Sequence, residues 1–413
     1  MKTLVVLGAG TAGTMIARKM ASKLDAHDWK VILVDRDERH FYQPGFLFLP
    51  FGLYRPEDVI KPKRNFIPKS IEFIISDIEL IEPDQNRVTL MKDHRVLNYD
   101  YLVIATGSDI HPEQTEGLKD GGWRKNIFDF YTFDGANALA KALANFKGGQ
   151  LVVNVVENPI KCPVAPLEFL FLADGYFKRR GLRNKVELIY ATPLPGAFTK
   201  PVASKTLGDM LTKKNIHVET EFNAGEVDAG KNILRSYDER ELCYDLLVTV
   251  PTNMGADVIA RSGMGDELNF IPTNKFTLQS DRWENIWVMG DANNIPASKA
   301  GAVVHFQLET VVENLLAHIA GKELPARFDG HSLCYIETGS GKAILIDFSY
   351  DTQPLLGTYP VAGIGPFSLL RESTINHWGK LGFRYMYWDM MMRGINVPLP
   401  SKFSLAGKVQ LVE

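Results

Sequence analysis

No uninterrupted apolar stretch in the 413 residues approaches the roughly 18 needed to cross a bilayer, which excludes an integral helical membrane protein. Cysteine is scarce. Cys162, Cys243 and Cys334 are too few for a disulfide-stapled scaffold and lack the close pairs of a zinc site, so no metal site is expected. Neither sign of charge dominates, with 46 basic against 49 acidic residues and no basic block, so nucleic acid is not an expected partner. Low-complexity segments are absent too. The N-terminal apolar run is too soon interrupted by Gly8, Gly10 and Gly13 for a secretory signal. What remains is an ordinary globular composition, 45% hydrophobic and 23% charged, in a chain long enough for two or three domains.

The first thirty-five residues carry the strongest local pattern. Thr3–Leu7 reads as a buried parallel strand, Gly8-Ala9-Gly10-Thr11-Ala12-Gly13 follows at once, Thr11–Leu24 has helical periodicity, and Val31–Val34 is a second strand ending in Asp35. Gly8 allows the tight turn, Gly10 lets the backbone approach a pyrophosphate, and Gly13 lets helix and strand pack closely. The helix N-terminus offers free N–H groups to the phosphates, and Asp35 is placed to accept hydrogen bonds from an adenosine ribose.

Two later strands end in further turns: Tyr99–Ile104 in Ala105-Thr106-Gly107, and Asn285–Met289 in Gly290-Asp291. These resemble the ATG and GD motifs of the two-dinucleotide-binding-domain flavoproteins, the superfamily of glutathione reductase and the membrane-bound type II NADH dehydrogenases. The resemblance implies FAD, with Asp291 on its ribityl chain. Pro296–His305 should open a helix whose N-terminus, at Lys299 to Ala302, faces the flavin and stabilises negative charge on it.

A second glycine-rich turn, for NAD(P)H, is missing. The strand Gln150–Val155 arrives on time but is followed by Val156–Pro166, with three prolines and no glycine, so Cβ atoms stand where a pyrophosphate would approach. This half should not bind NAD(P)H. A cysteine in place of the nucleotide turn points to electrons entering from a thiol or sulfide.

Lys161-Cys162-Pro163-Val164-Ala165-Pro166 with Glu168, then Gly290-Asp291-Ala292, then Cys334-Tyr335-Ile336-Glu337-Thr338-Gly339, resembles the sulfide:quinone oxidoreductases and the flavoprotein subunit of flavocytochrome c sulfide dehydrogenase. The resemblance implies that Cys162 and Cys334 form a redox disulfide at the flavin and that Glu168 accepts a proton beside Cys162. A solvated carboxylate at a helix start is the other reading of Glu168. HS⁻ would open the disulfide to a persulfide and a thiolate whose electrons pass to the flavin. Lys161 and Lys342 are the candidates for lowering the thiol pKa. Cys243, within Leu242–Val248, reads as a buried, inert strand residue. Asn126–Thr132 and Phe41–Gly45, where relatives attach FAD, have no cysteine, so FAD is expected to be non-covalent.

Near the C-terminus, Trp378, Leu381, Tyr385, Trp388 and Met392 recur at helical spacing, with Tyr387, Met390 and Met391 off that stripe. Such a helix is buried or interfacial. The resemblance implies a monotopic anchor that reaches a membrane quinone, with Tyr335, Ile336, Phe367 and Tyr385 by the quinone ring. The cytoplasmic face of the membrane is favoured, and a homo-oligomer is open. The segment beyond about Pro366 is expected to be dispensable for the flavin.

The fold class expected is α/β: an FAD domain in two pieces (1–110 and 275–325), a degenerate Rossmann-like half (111–274), and a C-terminal helical anchoring region (326–413). The activity expected is sulfide oxidation with a quinone acceptor and sulfur released as polysulfide or sulfane sulfur. Delivery to a cytochrome c, NADH:quinone oxidoreduction and an inert flavin-binding protein are the alternatives.

Overall fold

The computed structural model describes residues 1–397 and 399–409. Its α-helices are α1 (Thr11–Lys23), α2 (Phe133–Asn145), α3 (Ala165–Arg179), α4 (Pro201–Lys213), α5 (Asp257–Arg261), α6 (Gly301–Ile319) and α7 (Thr374–Asp389). Continuous aliphatic runs without polar alternation make strands that must be covered on both faces. They assemble into two five-stranded parallel sheets. The first runs, in spatial order, Ile286–Val288, Tyr101–Ile104, Lys2–Leu7, Trp29–Asp35 and Glu72–Ile75. It therefore brings segments nearly 300 residues apart into one sheet, and α1 packs against α6 beside it. The second runs Ile127–Phe128, Leu246–Val250, Gly149–Val155, Val186–Ala191 and Ile216–Glu219.

The C-terminal region differs from the helical anchor expected. Its main body is a sheet in the order Ser332–Gly339, Lys342–Phe348, Gly365–Leu369, Leu356–Val361 and Lys408–Val409, with α7 packed against it. The first two strands form a hairpin closed by Ser340 and Gly341, both at positive φ (53° and 70°), a geometry that turns the chain back on itself within two residues.

The apolar residues of α7 divide between two faces. Trp378 and Tyr385, seven residues apart, are 66% and 61% exposed, and Tyr387, Trp388, Met391 and Met392 are buried. Trp388 stacks on Phe66 at 5.4 Å and its indole N–H donates to the Asp58 carbonyl. The stripe anticipated from Trp378 to Met392 is therefore not one lipid-facing surface. A helix repeats at 3.6 residues, so Lys380 and Tyr387, also seven apart, share the face opposite Trp378 and Tyr385 and point into the protein.

Candidate active site

Every turn singled out in the first sheet lies at the carboxyl end of its strand, where open α/β sheets bind ligands. A cavity of about 580 Å³ opens there. Its lining includes Gly8, Gly10, Thr11 and Asp35 from the first turn and strand, Ala105, Thr106, Gly107, Gly290 and Asp291 from the two later turns, and Cys162, Glu168, Lys380 and Tyr387.

The three glycines do different work. A Cβ on Gly13 would lie 1.7 Å from the Gly8 carbonyl oxygen, and one on Gly8, at φ +92°, 2.4 Å from the Ala105 carbonyl oxygen. Both are therefore fixed by close backbone packing. A Cβ on Gly10 meets nothing within 4 Å and would project into the cavity, which is the space a ligand phosphate needs. Thr106 Oγ1 is buried with no partner. No donor among the described residues reaches the Asp291 carboxylate, and desolvation raises its pKa. Gly301 opens α6 after Ala300, which supplies no side-chain cap, so the first-turn N–H groups stay free. Asp35 accepts the Ala9 N–H at 2.5 Å and pairs with Lys63 at 2.5 Å, leaving lone pairs for a ribose. These residues fit a flavin-type dinucleotide.

Two members of the expected set act indirectly. Lys299 turns its ammonium onto the Asp291 and Asn293 carbonyls, at 2.9 and 2.6 Å, and so braces the Gly-Asp turn. Ala300, Gly301 and Val304 line the cavity and the Ala302 side chain does not, because the helical repeat turns it away.

Cys162, at φ 46°, stands just before the N-cap of α3. Its N–H donates to the Lys299 carbonyl at 2.8 Å, and its own carbonyl accepts the Ala165 N–H at 2.9 Å. Cys334 lies on the buried strand Ser332–Gly339, which packs against α3. Both are free thiols. Burial pushes Cys162 up to about 12 and Cys334 higher still; for both, the Glu168 charge adds to this and the Lys380 charge opposes it. Cys162 also raises Cys334 electrostatically.

Glu168 is fully buried in the first turn of α3, which rules out the solvated reading. One oxygen accepts the Glu337 N–H at 2.7 Å and pairs with the Lys380 ammonium, and the other is buried without a partner. Burial raises its pKa to about 7 against the pull of Lys380. Lys380 is held raised, because Glu168, Cys162 and Glu337 together outweigh its own desolvation. Lys161 and Lys342 do not fill this role: the Lys161 ammonium is bonded to the Ser108 carbonyl at 2.8 Å, and Lys342 is exposed.

Sequence reasoning missed Lys380, Tyr387 and His40. The Tyr387 hydroxyl is hydrogen-bonded to Thr11 Oγ1 and His40 Nε2, both at 2.7 Å, and burial pulls His40 down to about 4, so it is neutral. The available signal was the seven-residue spacing of Lys380 and Tyr387 on a helix read only for its other aromatics.

Of the residues expected at a quinone, Tyr335 and Phe367 meet edge to face at 5.5 Å over Gly379, where a Cβ would lie 2.6 Å from the Phe367 ring. Ile336 is fully buried in the core, since alternate strand residues face opposite ways. Tyr385 is on the outward face of α7. Cys243 is exposed, not buried: Leu242–Val248 is two strands, Glu241–Cys243 and Leu246–Val250, and only the second is interior.

A family profile described as pyridine nucleotide-disulphide oxidoreductase matches residues 2–155. Fold and site together define the class, an α/β two-dinucleotide-binding-domain flavoprotein. Within that class the chain is similar to the sulfide:quinone oxidoreductases. It is 28% identical to the mitochondrial enzyme of that name from Mus musculus and 27% to that of Dictyostelium discoideum, each over 95% of this chain and 86% of the relative. The solved sulfide:quinone oxidoreductase of the hyperthermophilic bacterium Aquifex aeolicus has the same fold, with a TM-score of 0.80 at 23% identity over 96% of this chain and 92% of that one.

Proposed function

We propose that the protein oxidises sulfide and passes the electrons to a membrane quinone. One observation carries the reading: Cys162, Glu168 and Lys380 line the same cavity as Gly10, Thr106 and Asp291, which joins a sulfur site to a flavin site. The flavin is FAD, held non-covalently, since Cys162 is the one cysteine among the cavity-lining residues and the sulfur chemistry uses it. When bound, FAD accepts two electrons from the sulfur site and supplies them to the quinone.

In the oxidised enzyme Cys162 and Cys334 are joined. HS⁻ attacks one sulfur, the Cys162–Cys334 bond breaks, and a sulfide–cysteine bond forms, leaving a persulfide and a thiolate. Lys380 stabilises the thiolate in a place where burial opposes charge. Glu168, through its unpartnered oxygen, takes the proton when the attacking species arrives as neutral hydrogen sulfide. The persulfide sulfur then leaves to a second sulfide or another thiol. Tyr335 and Phe367 offer an aromatic face for the quinone ring beside α7. Among the described residues no helix is long and apolar enough to cross a membrane. The exposed Ile364, Trp378 and Tyr385 support docking on a bilayer surface instead.

Anaerobic sulfide should bleach the flavin absorbance within a turnover, and a soluble quinone should restore it. NADH should bleach it far more slowly, because Val156–Pro166 provides no glycine turn for a second pyrophosphate. Comparable stopped-flow rates for NADH and sulfide would overturn the reading.

The rate should also depend on pH through Glu168. Its folded pKa is raised to about 7, so below that value it is protonated and cannot accept a proton, and above it the carboxylate is available. Sulfide-driven bleaching should therefore rise with pH through this range. Glu168→Gln should remove that limb and slow the reaction by on the order of 10²-fold. Any limb due to sulfide itself survives the substitution. An unchanged rate in Glu168→Gln would show that another group takes the proton.

A further inference from the structure

Glu337 has no part in the chemistry above, yet its carboxylate is fully buried on the strand that also carries Cys334. Both its oxygens lie 2.9 Å from His377 Nδ1. Its own N–H donates to the Glu168 oxygen that pairs with Lys380, and Lys380 is one helical turn from His377 on α7. Three elements thus bring four titratable side chains together behind the two thiols: Glu168 from α3, Glu337 from the strand, and His377 and Lys380 from α7.

The cluster is graded in exposure. The Glu168 and Glu337 side chains are 0% and 1% exposed, Lys380 is 12% exposed on the cavity wall, and the His377 imidazole is 16% exposed. Two buried carboxylates against one ammonium leave one negative charge uncompensated, and a single added proton removes it. A proton arriving from the sulfur side therefore has a stable place inside the cluster. It meets water at Lys380, on the cavity wall, and at His377, which is the more exposed of the two and is not among the cavity-lining residues.

We propose that Glu337 and His377 form the proton outlet of the sulfur site, so that the proton Glu168 takes from hydrogen sulfide crosses by Lys380 to Glu337 and leaves through His377. This rests on the functional reading above. Lys380 stands between the two carboxylates, bonded to Glu168 and attracted electrostatically by Glu337, and its flexible stem lets the ammonium turn from one to the other. The step moves no electrons: Glu168 returns to the carboxylate and His377 hands one proton to water.

The test is a single anaerobic turnover of the flavin-loaded protein with sulfide, at neutral pH, where both the Glu168 carboxylate and neutral hydrogen sulfide are present, in weak buffer with a pH-indicating dye. In the parent, flavin bleaching and proton release should coincide. His377→Asn keeps an N–H donor toward Glu337 but cannot carry a proton. Bleaching should proceed in it because the cluster stores the first proton, while release lags at least tenfold and free imidazole restores it. Glu337→Gln should lag in the same way without imidazole rescue. Dye and flavin traces that stay superposed in either variant overturn the outlet. A parent flavin that sulfide fails to bleach overturns the functional reading, and the outlet with it.

Discussion

Replacing Cys162 or Cys334 with serine should bring sulfide-dependent bleaching of the flavin to background, with the flavin still bound. In the proposed mechanism the first bond to break is the one between the two sulfurs, and each substitution removes it. A serine hydroxyl neither forms that bond nor leaves as a thiolate. Flavin retention is expected because the groups that fit the dinucleotide, Gly10, Thr106, Asp291 and the start of α6, lie on other elements and keep their geometry. Cys243→Ser is the control: that thiol is exposed at the end of a peripheral strand and is not among the cavity-lining residues. An active Cys334→Ser would show that Cys162 works alone or with another partner.

Deleting the chain from Arg371 onward should cost the protein its flavin, whereas changing exposed apolar residues of the C-terminal region should not. The deletion removes Lys380 and Tyr387 from the cavity wall and uncovers Phe66, on which Trp388 stacks. It also leaves Thr11 Oγ1 and His40 Nε2 without their shared hydroxyl. The double substitution Ile364→Ser with Trp378→Ser touches only residues 81% and 66% exposed. That variant should keep the flavin and its bleaching by sulfide but stay at the bottom of a gradient in which the parent floats with liposomes. Flavin retained after the deletion would mean that α7 is an appendage, and a floating double variant would place the lipid contact elsewhere.

The first dinucleotide turn was legible because its constraints are local: Gly8, Gly10 and Gly13 each answer to a contact within a strand, a turn and a helix that are adjacent in sequence. Cys162 was legible because it replaces an expected turn, and Cys334 only through resemblance. Glu337, His377 and Lys380 could not be read in this way. Each looks like an ordinary polar residue on an amphipathic element, and what buries them is the packing of α7 on the Ser332–Phe348 hairpin, a contact between distant segments. The same limit explains α7 itself. Periodicity finds an apolar face but does not say whether protein or lipid covers it, and here Trp378 and Trp388, on one helix, have opposite surroundings. Cys243 was misplaced because Tyr244 and Asp245 separate two strands without a glycine or proline to mark the break.

The hydrogen bond between Thr11 and Tyr387 joins residues 376 positions apart. A chain made on the ribosome folds its N-terminal parts first, so the glycine turn, α1 and the strand to Asp35 emerge and pair long before α7 exists. Until then part of the cavity wall is missing, with neither the Tyr387 clasp nor Lys380 in place. Cofactor loading should therefore wait for α7: chains released before it emerges would be colourless, and flavin colour would report that α7 has been made and packed.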